Sequence, residues 1–414
     1  MSAITSCRSC GDPRLSMVLS LGTTPLANSL PLIQPEGAAT KHEPEPRYPL
    51  ELVFCEGCTL LQITETVPPE ILFRDYRYFS SFSDTMLRHA KDIADRMVTE
   101  LSLDKTSLAA EIASNDGYLL KNYVARGIPV LGIEPARNIA KVAEENGVRT
   151  IADFFGKDLA TRLASEGTRA NVLHANNVMA HVPDINGVVA GVAAFLAPDG
   201  VFVTESPYAK QMVDHTEFDT IYHEHLFYYS LTAQSALFER HGLFVADVLE
   251  LPIHGGSIRT FVKQKGAGAP TARVTELFAR EQAWGVRKLA AYLPFRDRVA
   301  ALKKSLTELI AKLKADGKTI AAYGAAAKGS TLLNTFGIGR ESLDFVADRS
   351  VHKHGRTMPG LEIPIVPAEA LLERRPDYTL LLTWNFADEI LAQQKAYRER
   401  GGKFIVPIPE VTIR

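Results

Sequence analysis

The chain has four cysteines and two tryptophans in 414 residues, no long hydrophobic run and no excess of charge of either sign. Each shortage excludes something. With 46 Lys and Arg against 48 Asp and Glu, the formal net charge is −2, whereas a dedicated duplex-DNA or RNA binder carries a clear basic excess. Nucleic acid is therefore not an expected partner. No stretch of about 18 apolar residues exists, so neither a membrane-spanning helix nor a membrane partner is expected. The opening residues, Met1 to Arg8, show no apolar h-region, and the expected compartment is a reducing cytoplasm. What is present is ordinary for a globular protein: 46% hydrophobic and 23% charged residues, with 28 Gly and 23 Pro. At about 150 residues per domain, the length implies two or three domains, each able to bury a core.

The cysteines fall in two pairs, Cys7-x-x-Cys10 and Cys55-x-x-Cys58, with none left over. Each pair forms a tight knuckle aiming two thiolates at one point, and two knuckles supply the tetrahedral four-sulfur set that Zn2+ prefers. The gap between the pairs exceeds ordinary ribbon spacing, so the intervening segment must carry structure of its own. A redox C-x-x-C opens a helix after a strand, and neither pair does. Two unrelated buried pairs are the alternative. A closed site of four thiolates leaves no open coordination position, so the metal is expected to fold the N-terminus rather than do chemistry.

From about residue 107 the pattern repeats strand, turn and helix. Strands are expected at 107–113, 130–134, 150–153, 172–175, 201–205, 244–249 and 259–263, and helices at 118–126, 136–146 and 185–195. This alternation argues an α/β unit with a parallel sheet and ligands at the carboxyl ends of its strands. A dinucleotide site needs G-x-G-x-x-G at the first turn. Here the turn runs from Glu111 through Ala113 and Asn115 to Gly117 with a single glycine, which disfavours a nicotinamide oxidoreductase. Its acidic and amide groups suit a cationic, zwitterionic ligand such as S-adenosylmethionine. Glu134 ends the second strand, placed to accept hydrogen bonds from both ribose hydroxyls. Asp153 and Phe154 end the third, where a carboxylate and an aromatic ring suit an adenine.

Several motifs then carry a resemblance that runs nearly end to end: CRSCG, PLAN at Pro25–Asn28, CEGC, EIASNDGYLL, HANNVMAHVPD, YHEHLFYYS, HGGSIR and YGAAAKGSTLLN. In these the chain resembles the sugar C-3′ methyltransferases of deoxysugar (tetronitrose-type) biosynthesis, most of all those acting on dTDP-linked 3-amino-4-keto-deoxysugars. The resemblance implies a zinc-binding N-terminal domain (1–75), a class I methyltransferase (Rossmann-like) core binding S-adenosylmethionine (76–265), and a C-terminal Rossmann-like α/β domain holding the sugar nucleotide (266–414). Within HANNVMAHVPD it sets Asn176 and Asn177 beside the methyl donor. Ala113 is a departure, since class I methyltransferases usually place glycine there.

Phe218–Tyr229 (FDTIYHEHLFYY) is the densest run of aromatic and titratable residues. If it ran extended, Tyr222 and Glu224 would share one face and His223 and His225 the other. Methylating carbon requires a carbanion equivalent. In a 4-ketosugar the C-3 hydrogen is acidified by the carbonyl, so a base can remove it and an enolate can take the methyl. His225 is the expected base, because an imidazole titrates near neutral pH. Tyr222 and Glu224 are expected to bind the amino or keto group or to orient the base. His181 is a second candidate base, and Tyr76, in YRYFSSFSD, is expected to close the donor pocket. A surface loop with hydrated histidines is the plain alternative.

Residues 266–271 read as a linker, and 276–314 as one or two helices. A second α/β unit begins with a strand at 319–323 and a turn of small residues at 324–331. Those residues let backbone approach an anion, with Lys328 adding charge and Ser330 opening a helix. The P-loop order is broken. Asp348, His352, Trp384 and Asn385 follow later strands and are candidate contacts for base, sugar or phosphate. Two rivals stay open: an O- or N-methyltransferase on another nucleotide sugar or small molecule, and a zinc-ribbon nucleic-acid adaptor. A dTDP-linked 4-ketosugar is the expected substrate partner, and a monomer the expected state.

Overall fold

The computed structural model describes residues 2–33, 45–68, 81 and 84–414. Tyr76 lies outside them. The N-terminal strands are β1 (Ser2–Ala3), β2 (Leu15–Pro25), β3 (Arg47–Cys55), β4 (Leu61–Ile63) and β5 (Glu65–Thr66). β2, β3 and β4 pair antiparallel. Their buried side chains, Leu50, Leu52, Phe54, Leu61 and Ile63 among them, join the main hydrophobic core.

Eight strands follow: β6 (Ala109–Ile112), β7 (Val130–Ile133), β8 (Thr150–Ile151), β9 (Ala170–Asn176), β10 (Leu196–Pro207), β11 (Phe227–Tyr228), β12 (Leu243–Leu251) and β13 (Ser257–Gln264). All but β11 form one sheet, in the order β12-β13-β10-β9-β6-β7-β8. β6 to β10 run parallel. Successive residues of a strand face opposite sides, and the sheet is buried on both. Ala109, Val172 and Val203 pack with the helix Asp84–Leu101, whose Met86, Ala90, Ile93, Ala94 and Met97 recur at helical spacing. Ala110, Leu173 and Phe202 pack with the helix Ile185–Phe195 on the other side.

Two expectations change. β13 is antiparallel to both its neighbours, so the sheet is mixed rather than parallel. Only residues 252–256 join β12 to β13, too few for a crossover, and the chain returns as a hairpin. The third strand of the core stops at Ile151, leaving Asp153 and Phe154 in the loop beyond it. Meanwhile β11 leaves the core altogether and pairs with β4, which stitches the run after β10 to the cysteine-bearing segment.

The helices Ala272–Trp284 and Leu293–Ala315 are separated after Gly285, at φ 91°. The second α/β unit follows, with β14 (Ile320–Tyr323), β15 (Val346–Asp348), β16 (Ile365–Pro367), β17 (Tyr378–Leu381), β18 (Lys403–Val406) and β19 (Thr412–Ile413). Their order is β16-β15-β14-β17-β18-β19, parallel except for β19. Among the described residues no helix is long and apolar enough to cross a membrane.

Candidate active site

The four cysteines converge. Cys7 Sγ lies 3.6 Å from Cys58 Sγ and Cys10 Sγ lies 3.5 Å from Cys55 Sγ, with all four sulfurs within 4.8 Å of one another. Thiolates about 2.3 Å from a tetrahedral zinc ion stand about 3.8 Å apart, so the set fits that ion. Both knuckles turn alike, with the residue after the second cysteine, Gly11 or Thr59, in the left-handed region at φ 78° and 66°. Asn186 Nδ2 donates to the carbonyls of Arg8 and Ser9, docking the first knuckle on the core.

At the carboxyl end of the core sheet, the turn after β6 takes left-handed conformations at Ala113 (φ 51°), Asn115 (49°) and Gly117 (79°). Glu134 holds this turn. Its Oε2 accepts from the Asn115 N–H at 2.9 Å and its Oε1 from the Ala136 N–H at 2.8 Å. Burial pushes this carboxyl up, and those two N–H groups oppose the shift. A carboxylate offers about four acceptor positions, so Glu134 retains capacity for a diol. Asn176, at the tip of β9, has neither amide atom satisfied among the described residues, and Glu111 Oε2 is likewise without a partner. Buried polar groups left unpaired ask for a ligand. S-adenosylmethionine, with its ribose hydroxyls and amino-acid end, fits that requirement. Asn177 follows at φ 57°. Asp153 is exposed and accepts from the N–H of its neighbour, the half-buried Phe154, at 2.8 Å.

The aromatic run is not extended. Phe218–Thr220 forms a 3-10 turn, and the His225 N–H donates to the Tyr222 carbonyl at 2.8 Å. This second turn brings Tyr222 onto His225 instead of onto the side of Glu224. The Tyr222 hydroxyl lies 2.8 Å from His225 Nε2, and His225 Nδ1 lies 2.9 Å from the Thr220 carbonyl. A carbonyl only accepts, so Nδ1 carries a proton, and in the neutral ring Nε2 presents its lone pair to the phenol. The His181 ring stands edge-on to His225 at 4.8 Å, and burial draws its imidazole down to about 4. Burial pushes Glu224 up to about 7, against a 2.7 Å hydrogen bond from Asn28 Nδ2. His223 turns away, donating to the Pro49 carbonyl at 3.1 Å. The fold thus gathers His181, Tyr222 and His225, with Glu224 tied to the PLAN segment.

In the second α/β unit, Ser330 and Trp384 are buried, Asn385 is half-buried and His352 is exposed. The Lys328 ammonium lies 4.8 Å over the Trp384 ring and has no hydrogen-bond partner among the described residues. Its surroundings differ from an empty anion cradle. Burial pushes Asp219 up to about 6 and Glu217 up to about 8, with the Lys328 charge opposing both, so this cation faces acids of the core. Asp219 Oδ2 accepts from Trp384 Nε1 at 2.7 Å.

Sequence reasoning missed Asn28 as the partner of Glu224, although PLAN was among the motifs. It also missed Asp219 and the carbonyl of Thr220, whose roles depend on a turn. At the tip of β10, Glu205 is gripped by His89 at 2.7 Å and by Arg259. Burial raises that carboxyl, but the hydrogen bond to His89 and the Arg259 guanidinium outweigh the penalty and leave it below its ordinary value.

A core sheet of six parallel strands with one antiparallel strand inserted between the fifth and the sixth, and an acid-tipped second strand holding the first turn, define a class I S-adenosylmethionine-dependent methyltransferase. Comparison with known proteins extends this. Family profiles match a zinc binding domain over residues 7–73, a methyltransferase domain over 86–248 and a C-methyltransferase C-terminal domain over 252–409. The C-methyltransferase NovU of Streptomyces niveus is 39% identical over 408 residues, covering 98% of this chain and 96% of that protein. An S-adenosylmethionine-dependent methyltransferase structure from Clostridium acetobutylicum ATCC 824 matches with 12% identity and a TM-score of 0.35, covering 44% of this chain and 92% of that one. Magnesium protoporphyrin IX methyltransferase (ChlM) from Synechocystis PCC 6803, with bound SAH, matches with 10% identity and a TM-score of 0.35, over 46% and 90%. The chain belongs to the C-methyltransferase family: it is an S-adenosylmethionine-dependent C-methyltransferase carrying a structural zinc site.

Proposed function

We propose that this C-methyltransferase methylates C-3 of a dTDP-linked 3-amino-4-keto-deoxysugar, in antibiotic deoxysugar biosynthesis, with His225 as the base. The observation that carries this reading is the Tyr222–His225 pair, held between the Thr220 carbonyl and a phenol with the His181 ring beside it. His225 Nε2, directly or through the Tyr222 hydroxyl, takes the C-3 proton, and the C–H pair becomes the enolate. Tyr222, His181 and a protonated Glu224 are groups able to donate to the enolate oxygen or engage the 3-amino group. S-adenosylmethionine supplies an electrophilic methyl to the enolate carbon. Glu111, Ala113, Asn115, Gly117, Glu134, Asp153, Phe154, Asn176 and Asn177 are the proposed donor-binding residues, with Tyr76 closing that pocket. Lys328, Ser330, His352, Trp384 and Asn385 are the proposed contacts to the sugar nucleotide. Cys7, Cys10, Cys55 and Cys58 would hold the zinc ion, which would steady β4 and, through it, β11 at the end of the catalytic run. The units are taken as 1–75, 76–265 and 266–414, acting as a cytoplasmic monomer.

His225→Asn keeps a polar side chain but loses the proton acceptor. General-base removal typically costs about 10²–10⁴-fold, so kcat should fall by that order with donor affinity little changed. Exchange of the C-3 proton with solvent, followed by NMR without methyl donor, should slow in parallel. Exchange and turnover that both survive would transfer the role to His181 or Tyr222. Product NMR after incubation with a panel of dTDP-4-ketosugars tests the acceptor, since C-methylation removes the C-3 proton and O- or N-methylation leaves it.

A further inference from the structure

The 3-10 turn Phe218–Thr220 is gripped from two sides. On one, the C-terminal unit holds it: the Phe218 ring stacks on Phe336 at 4.7 Å and 18°, and the fully buried Asp219 accepts the Trp384 indole N–H at 2.7 Å. On the other, the carbonyl of Thr220 accepts from His225 Nδ1 at 2.9 Å. A histidine's tautomer is set by the bond its second nitrogen makes, and here that bond is a backbone carbonyl one residue beyond Asp219. We propose that Asp219 is a positioning residue: through Trp384 it fixes the Phe218–Thr220 turn, and the Thr220 carbonyl in turn holds His225 in its Nδ1–H form with Nε2 directed at Tyr222. The inference rests on the reading of His225 as the base.

The placement of charge agrees with this role. A buried carboxylate aimed at nothing would be a liability. Asp219 is anchored by the indole N–H through one oxygen, and the backbone N–H groups of Asp219 and Thr220 also favour its ionised form. Lys328, over the face of the same indole, supplies the compensating charge. The C-terminal unit therefore reaches the candidate base through one carboxylate and one peptide group. It follows that Trp384 has a second task besides any contact with substrate. Its indole N–H is committed to Asp219, and only the rest of the ring remains to face a ligand.

The experiment uses the full-length zinc-loaded enzyme with 15N-labelled histidine, and His225→Asn assigns the His225 resonances. In the wild type, His225 should show a protonated Nδ1 and an unprotonated Nε2 at neutral pH. Asp219→Ala should convert this to a mixture of tautomers and lower kcat by about 10- to 100-fold, the scale of a misplaced catalytic group, with donor KM unchanged. Asp219→Asn, which still accepts from the indole, should restore the wild-type tautomer and most of kcat. Trp384→Phe, which keeps a ring but loses the donor, should behave as Asp219→Ala does. If Asp219→Ala does not fold, the contrast between the Asn and Phe variants carries the test. Unchanged His225 signals in a folded Asp219→Ala or Trp384→Phe protein would overturn the proposal. A shifted tautomer in those variants would uphold the positioning role even if the wild type turned over none of the ketosugars, in which case the proposed acceptor alone is lost.

Discussion

The two α/β units solve the same local problem with the same device and then diverge. In each, an acid at the tip of the second strand accepts an N–H from the turn after the first and another from two residues further along its own chain. In the core, Glu134 takes Asn115 and Ala136; in the C-terminal unit, Asp348 takes Ala325 at 2.7 Å and Ser350 at 2.8 Å. The divergence lies in what else reaches the acid. Asp348 has its own cation, Lys353, at 3.2 Å, and that ammonium also donates to the Ala325 carbonyl. Glu134 has no ion-pair partner among the described residues, and unsatisfied polar atoms of Glu111 and Asn176 lie on β6, beside its strand, and on β9, the next strand over. One acid is internally neutralised and closes its turn. The other leaves a hydrogen-bonding demand that a ligand with a diol and charged ends can meet. A shared strand order therefore does not make two equivalent nucleoside sites.

The strongest way to break this contrast is to remove each acid in turn. Glu134→Ala should weaken S-adenosylhomocysteine binding by about 10- to 100-fold, since hydrogen bonds to a charged group contribute about 1.5–3 kcal/mol. Asp348→Ala should leave that affinity alone while lowering the melting temperature. Titration calorimetry on both variants gives the answer. Equal losses, or none in the Glu134 variant, would mean that the donor sits elsewhere.

Of this contrast only Glu134 and its glycine-poor turn were legible in the sequence, as local features; Asp348, a candidate contact for base, sugar or phosphate by sequence, is engaged by Ala325, Ser350 and Lys353. The two C-x-x-C pairs are equally local, and their convergence follows from the chemistry of zinc. Segments such as 185–195 and 130–134 were readable because a helical stripe and a short apolar run are local signals. What could not be read were relations between distant segments. Residues 218–229 have the composition of a strand, yet tertiary contacts bend them at 218–220 and 222–225, which separates Glu224 from Tyr222. Lys328 looks like an anion ligand by sequence, and only the packing of the second unit against the core sets it against Asp219 and Glu217. The pairing of β11 with β4 joins residues far apart in the chain and has no local signature.

A smaller effect tests the seam between the units by pH. Glu217 is buried against the turn at Gly255, where an added Cβ would collide with its carboxyl group. The groups acting on it are Lys328, Asp219 and, at 3.6 Å, His215. Burial pushes its carboxyl up to about 8, so between the ordinary carboxyl range and pH 8 the folded protein holds a proton that the unfolded chain releases. Stability should therefore be fullest at the acid end of that window and decline as pH rises through it, with Glu217 contributing a slope approaching about 1 kcal/mol per pH unit. Urea melts at pH 6 and 8 should show the decline. Glu217→Gln should flatten it, and an unchanged slope in that variant would remove Glu217 from the account.

The smallest effect concerns the first turns themselves. The turn after β14 opens with Gly324 at φ 93°, where an added Cβ would meet the Thr383 side chain at 2.6 Å, so glycine is required by both conformation and space. The turn after β6 opens with Ala113 at φ 51°, in the left-handed region that costs an L-residue roughly 1–2 kcal/mol. Ala113→Gly should relieve that strain but lose about 0.5–1 kcal/mol to the greater freedom of glycine in the unfolded chain. The net change in stability should thus stay within about 1 kcal/mol. Donor affinity is the sharper readout, because removing the methyl group clears space where the methionine end of the donor is expected to lie. Equal or tighter binding of S-adenosylhomocysteine to Ala113→Gly would fit a turn shaped for that ligand despite its alanine. A severalfold weakening would show instead that the methyl group, strained as its backbone is, packs against the donor.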